Sequence, residues 1–382
     1  MSLYTVAYNV GCVPVMFLAT ALSARLNYFL VICIPIIINA IMMGVLPIIG
    51  TFLSGTAAAQ WLIFVICIIC GGCTGLINAG GFGLGSVFSS HHTQGIMLGQ
   101  GIVGLISIVP LILHVSIPGD NTDTVGMIFF CFAAVINVLA LIATLLLKVI
   151  PYSKWVIQKS SNSTKKLNEN QPLILEEANA SQIAKGSINS DEKEGSKSVF
   201  EQVKAFIKQI IPVAKKKFWW GFAIFDLFFW SLLAFPSIFL AVPSQKGQFE
   251  GPFLQSLWRY LKLNIHTFWD FAIRFFTNLR PLYKSCKVMN IISAARSIIV
   301  LFLFLCVFVP AFQQTWLVVI VISCFSITNG YHSTVIMSQA GSDLTDDTEK
   351  AICGTFMSLC FNIGFFIGCL ASMLVSYLID KR

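Results

Sequence analysis

Ten apolar runs, each near the roughly 20 residues needed to cross a bilayer core of about 30 Å, restrict this chain to a bundle of membrane-spanning helices. In lipid every backbone N–H and C=O must find its partner inside the protein, and a helix does this within each segment. The first five runs are about Tyr4–Leu22, Phe29–Leu53, Trp61–Leu84, Gly95–Ile117 and Val125–Val149. The second five are about Phe218–Val242, Leu263–Leu279, Val288–Phe308, Trp316–Ala340 and Ala351–Ile379. Composition agrees: 56% of the 382 residues are hydrophobic and 11% charged, with mean hydropathy +0.80, against about a quarter charged in a soluble domain. The 27 glycines suit helices that approach closely, and the 33 phenylalanines fill the space between them.

Between the two sets, Pro151 to Lys217 is rich in Ser, Asn, Lys and Glu. Such a stretch buries too little apolar surface to offset chain entropy. The expected organisation is therefore a helical bundle over residues 1–150, a flexible linker over 151–217 and a second bundle over 218–382. Within the linker, Val199, Val203, Phe206, Ile207 and Ile210 keep helical spacing, which predicts a short amphipathic helix from Val199 to Pro212 on the inner membrane surface. Lys204, Lys208 and Lys215 to Lys217 would steer it there.

Basic residues set the orientation. With the linker cytoplasmic, the inner loops hold Arg25, His91, His92, Arg280, Lys284, Lys287 and Lys350. The outer loops then hold little basic charge beyond Lys246, Arg259 and Lys262, and both termini lie outside. Glycan on Asn162-Ser163-Thr164 or Asn179-Ala180-Ser181 would reverse this topology. Met1 to Leu22 lacks a basic n-region and carries Tyr8 and Pro14, so it is expected to belong to the first span rather than to a cleaved signal peptide.

Several function classes are excluded or unsupported. The net charge of +8 resides in linker and loops rather than on a recognition element, which argues against nucleic acid as a partner. Of the 12 cysteines only Cys70-Gly71-Gly72-Cys73 has metal-site spacing, and no second Cys or His pair stands near it to complete four ligands. No P-loop, Gly-x-Ser-x-Gly elbow or His-Glu-x-x-His is present, so neither an enzyme nor an ATP-driven pump is expected, and no cofactor.

The sharpest candidate site lies in Ile265–Leu279, IHTFWDFAIRFFTNL, where Asp270 and Arg274 stand one turn apart in an aromatic segment. Residues i and i+4 share a helix face, so the carboxylate and guanidinium can touch. A charge at membrane depth costs about 2.5–3.5 kcal/mol even on insertion scales, and such residues by default mark a solute or ion path. Two other readings stay open: the pair only neutralises itself, or Arg274 snorkels to the interface. Gln100 between Gly99 and Gly101, Asn78 and Asn329 each offer an amide that either contacts a solute or bonds two helices together, the latter worth about 0.6 kcal/mol on average. Arg296 and Asp226 are the remaining charges near apolar depth; Arg296 either snorkels or gates. Asp226, or the cluster Asp343, Asp346, Asp347 and Glu349, pairs with basic inner-side groups as a gate, or the cluster instead serves the dipole of the last helix. Pro14, Pro35, Pro47, Pro110 and Pro236 fall inside runs, where each removes a backbone donor.

Particular strings resemble the equilibrative nucleoside transporter family. Ile77-Asn78-Ala79, then Met97-Leu98-Gly99-Gln100-Gly101 with Gly104, are similar to its paired fourth and fifth helices. Ala234-Phe235-Pro236-Ser237 resembles the Phe-Pro motif of the seventh, and Asp270 with Arg274 the Asp-x-x-x-Arg motif of the eighth. Ala295-Arg296 is similar to the start of the ninth, Asn329-Gly330-Tyr331 to the tenth, and Gly354, Met357, Gly364 and Gly368 to the glycine-rich last helix. The family has eleven helices, and this chain is expected to lack the first. The glutamine that follows the fourth-helix Ile-Asn in the family has no counterpart in residues 78–86, which leaves purine preference open.

The resemblance implies an all-α, major-facilitator-like protein of two bundles that moves nucleosides or nucleobases across a membrane, most simply the plasma membrane, by alternating access. Transport would be facilitative or proton-coupled, with Asp270 and Arg274 binding the solute. Carriage of another polar solute such as a sugar, or a truncated paralogue without transport, are the alternatives.

Overall fold

The computed structural model describes residues 2–22, 28–53, 55–106, 108–116, 122–158, 199–279 and 285–381. The first half contains α1 (Ser2–Leu22), α2 (Tyr28–Phe52), α3 (Ala57–Phe88), α4 (Ser90–Leu105), α5 (Ile108–Ser116), α6 (Thr122–Leu146) and a short α7 (151–158). The second contains α8 (Val199–Ala234), α9 (Ser237–Ala241), α10 (Pro252–Leu279), α11 (Cys286–Phe308), a 3-10 turn (Pro310–Phe312), α12 (Thr315–Gln339) and α13 (Asp347–Asp380). Among the described residues, seven helical stretches are long and apolar enough to cross a membrane, and α1 holds a shorter apolar stretch, Leu3–Ala19. α10 has the length, but carries Arg259, Lys262, Asp270 and Arg274.

Local chemistry accounts for the helix ends. Thr56 caps α3 by accepting from the Ala59 N–H at 3.1 Å. Asp346 caps α13 through the Glu349 N–H at 3.0 Å, and Asp347 and Glu349 occupy its first turn, so part of the acidic cluster serves the helix dipole.

The helices depart from the expected spans in four places. α8 begins at Val199, so the amphipathic stretch and the span beyond it form one helix with Pro212 inside. Helix thus reaches into both ends of the 151–217 segment; residues 159–198, with both sequons, lie outside the described residues, as do Arg25, Arg280 and Lys284. Pro236 does not lie within a helix: α8 stops at Ala234 and α9 starts at Ser237, as expected where a proline withholds its donor. The fourth run divides into α4 and α5, with Pro110 in the first turn of α5 where its missing N–H costs nothing. Arg259 and Lys262 belong to α10 rather than to a loop, and the buried Lys262 ammonium donates to the Val242 and Leu240 carbonyls that end α9.

In the first half α1 packs on α3, and α2 lies between α3 and α6. In the second, α8 packs on α13 and α11, and α12 on α10 and α11. The halves meet along α3–α13, α1–α13, α4–α10 and α4–α12. Large apolar side chains on the outer faces, such as Val135, Leu139 and Ile142 on α6 and Ile291, Ile298 and Leu301 on α11, remain exposed and suit a lipid surround.

Close approach, rather than hydrophobic drive, holds such helices together. A Cβ on Gly101 of α4 would stand 2.9 Å from Arg274 Cδ, and one on Gly330 of α12 would strike the Asp270 carbonyl of α10. Gly99 differs, since a Cβ there meets nothing within 4 Å. Gly330→Ala should therefore lower stability by about 1–3 kcal/mol through overpacking, seen as a lower Tm in detergent, while Gly99→Ala should leave Tm unchanged.

Candidate functional site

α10 carries His266, Asp270 and Arg274 at successive i+4 positions, so all three share one face, and all are buried. Arg274 grips Asp270 with two donors, Nε to Oδ2 at 2.8 Å and Nη2 to Oδ1 at 3.3 Å. Its remaining arm, Nη1, donates to the Met97 carbonyl of α4 at 3.0 Å, so one guanidinium ties the second half of the chain to the first. With Asp270 9% exposed and Arg274 4%, neither side chain snorkels, and the pair stands at the seam between halves.

Asn329 of α12 extends the network. Its Nδ2 donates to Asp270 Oδ1 at 2.7 Å, and its Oδ1 accepts from Arg296 Nη1 at 3.1 Å and from Ser231 Oγ at 2.7 Å. Arg296, 1% exposed, also lies over the Phe325 ring at 4.4 Å, so it does not reach the interface either. Asp226 of α8 accepts from Trp230 Nε1 at 3.0 Å and is within electrostatic reach of Arg296. Removing one partner from such a buried set leaves a charge uncompensated, at about 3–5 kcal/mol.

Among the described residues Asp226 makes no ion pair with the lysines of α8. The inner lysines of α8 pair elsewhere: Lys217 with Asp343, and Lys216 with Glu349 at 3.8 Å. These pairs stay within the second half, whereas Ser86 Oγ donates across the seam to the Lys350 carbonyl at 2.8 Å. Gln94 Nε2 likewise reaches Ser338 Oγ at 3.4 Å from α4 to α12.

The other expected residues lie around this centre. Gly101 lets α4 press against Arg274. Gln100 and Asn78 are half-buried on α4 and α3, outside the hydrogen-bonded network. Pro236, with Phe235, lines a cavity of about 400 Å³ near the end of α13 that also touches Arg259, Ser372 and Ser376. The Phe235 ring lies 4.6 Å from the His266 ring, so an aromatic side chain stands between that cavity and the stripe on α10. Near the start of α13 a cavity of about 250 Å³ is lined by Ser86, Thr93, Ser338 and Lys350. Asp270, Arg274, Asn329 and Arg296 line neither cavity.

Sequence reasoning passed over His266, whose Nδ1 is 2.7 Å from Ser326 Oγ, and Ser231. The four-residue step from His266 to Asp270 was a usable signal. Ser231 and the Met97 carbonyl had none, because a serine or a backbone oxygen 177 positions from Arg274 leaves no local pattern.

The family model described as nucleoside transporter matches residues 63–377. Among solved structures, the chain is similar to the major facilitator superfamily proton:xylose symporter XylE bound to 6-bromo-6-deoxy-D-glucose, with TM-score 0.55 and 13% identity over 98% of this chain and 84% of that one. It is also similar to the major facilitator superfamily transporter FucP in the outward conformation, with TM-score 0.49 and 13% identity over 100% of this chain and 89% of that one. At this identity the first likeness establishes the fold, a major-facilitator arrangement of helices.

Two outcomes follow from this geometry. Asn329→Ala removes hydrogen bonds to two charged groups, each worth about 1.5–3 kcal/mol, and should lower Tm in detergent by more than Ser231→Ala does. Between α12 and α13, partial burial raises the Asp343 carboxyl, but the Lys217 ammonium outweighs this and holds it below the usual carboxylate range. Its contribution is present above the unfolded value of about 3.9 and is lost as pH falls through the lower folded value; Asp343→Asn should flatten the thermal stability profile in that acid window only.

Proposed function

The chain belongs to the nucleoside transporter family, whose model spans residues 63–377, and on that premise we propose that it carries nucleosides or nucleobases by alternating access. It is a multi-pass membrane transporter, and the finer arrangement of this proposal is ten spans, five before and five after the connecting segment. In this reading residues 1–150 and 218–382 are the two rocking bodies, 151–217 joins them on the cytoplasmic face, and the plasma membrane is the site of action.

The observation that supports this best is the Arg274 guanidinium, shared between Asp270 and the Met97 carbonyl across the seam. A solute hydroxyl or carbonyl that accepts from Nη1 displaces Met97, and a hydroxyl or ring N–H that donates to Asp270 competes with Asn329. Solute binding therefore substitutes for the contact that joins α4 to α10, which couples occupancy to separation of the halves. A neutral solute suits a carboxylate and guanidinium that already cancel. Gln100 and Asn78 are the contacts proposed from the first half, and Pro236 with Phe235 forms the outer closure. No ATP or covalent step is needed; a proton accompanies the solute if Asp270 titrates during the cycle.

Uptake of labelled adenosine and uridine into cells or vesicles, with and without a pH gradient, tests the reading. Wild type should concentrate neither beyond equilibrium without a gradient, yet should equilibrate them faster than empty vesicles. Asp270→Asn and Arg274→Ala should reduce this flux at least tenfold at equal surface expression. Unchanged flux in both variants would remove the pair from the solute path.

A further inference from the structure

Three consecutive lysines close the polar part of α8, and two of them are taken: Lys217 pairs with Asp343 and Lys216 with Glu349. Lys215 is exposed and makes no ion pair among the described residues. Directly beyond it the helix turns apolar. Phe218, Phe222 and Phe225 recur on one face of α8 at i, i+4 and i+7, and Phe356, Cys360 and Ile363 recur at the same spacing on α13. Between the two stripes lies a groove of about 580 Å³, and among the described residues its lining carries one charge, that of Lys215.

The groove has a floor and a mouth. A Cβ on Gly364 would strike the Phe225 carbonyl, so α8 and α13 are in backbone contact at that level. From there back to Lys215 is ten residues of helix, about 15 Å, which equals the hydrocarbon depth of one leaflet, half of about 30 Å. Trp219, 63% exposed, stands one turn past Lys215, where an amphipathic ring marks the boundary between headgroups and hydrocarbon. Lys287 of α11 is exposed near the same end, since Asn290, three residues on, donates to the Trp219 carbonyl at 3.0 Å. Gly221 keeps the walls close, because a Cβ there would stand 2.8 Å from the Phe356 ring.

We propose that this groove holds one acyl chain of an anionic phospholipid, whose phosphate is met by the Lys215 ammonium. The recognising chemistry is a phosphate carried on a hydrocarbon chain: the apolar stripes take the chain, and the unpaired lysine at the mouth selects for negative charge. Lys216 and Lys217 are already held by carboxylates and do not substitute for it. The lipid then lies against α13, which also packs on α1 and α3 of the first half. None of this depends on which solute is carried.

The test is retention of added lipid by the purified full chain in detergent, read by native mass spectrometry with phosphatidylglycerol and phosphatidylcholine of identical acyl chains at equal concentration. Wild type should retain phosphatidylglycerol over phosphatidylcholine by at least about fivefold, the factor that one lysine beside an anionic lipid supplies. Lys215→Ala should bring that ratio toward one, and Lys381→Ala, at the other end of α13, should keep it. Because the readout is a ratio within one sample, reduced folding alone does not move it. A photoreactive group midway along the phosphatidylglycerol chain should label peptides holding Phe222 and Cys360 in preference to the exposed face of α6. Excess glycerol phosphate, which has the charge without the chain, should not displace the lipid. Equal retention of both lipids by wild type, an unchanged ratio in Lys215→Ala, label spread evenly over α6 and α8, or displacement by glycerol phosphate overturns the site.

Discussion

Two guanidinium groups and two carboxylates lie inside a protein whose outer surface is hydrocarbon, and the rest of the second half is arranged to make that tolerable. Each charge has a counter-charge within reach, and Asn329, whose amide both donates and accepts, joins the two pairs. Close helix approach is a precondition, because the bonds span α10, α12 and α11 at 2.7–3.3 Å. Gly330 removes the side chain that would force α12 away from Asp270, and Gly101 does the same where α4 meets Arg274. Packing and electrostatics are thus one constraint here rather than two.

The same network links the halves through a charged contact to a backbone carbonyl, Arg274 to Met97. Elsewhere along the seam the polar contacts are between neutral groups, such as Gln94 with Ser338 and Ser86 with the Lys350 carbonyl. Neutral bonds of this kind contribute modestly, which suits surfaces that separate and re-form. The charged pairs Lys217 with Asp343 and Lys216 with Glu349 stay within the second half. Cavities of about 400 and 250 Å³ lie toward opposite ends of α13, and the charged residues at the centre line neither.

Much of this was legible before any coordinates. Hydropathy located the apolar helices, since lipid enforces them, and the i, i+4 spacing of Asp270 and Arg274 announced their contact. Boundaries were harder where polar residues continue a helix: α10 begins at Pro252 and carries Lys262 inward to the carbonyls at the end of α9, and α8 begins at Val199. The division at Pro236 followed from proline chemistry, though the sequence had placed it within a span. What stayed hidden were partners distant in sequence, above all the Met97 carbonyl and Ser231. Asp226, read from the sequence as a charge near apolar depth, stands nine residues of helix beyond Lys217, about 13 Å along α8, and bonds to Trp230.

The central claim is that a solute takes the place of the bond between Arg274 and the Met97 carbonyl. A structure determined with bound nucleoside in lipid nanodiscs tests it most directly. The account predicts ligand atoms within hydrogen-bonding distance of Arg274 or Asp270, with the Arg274 Nη1 to Met97 bond broken. Ligand bound elsewhere, with that bond intact, would contradict it.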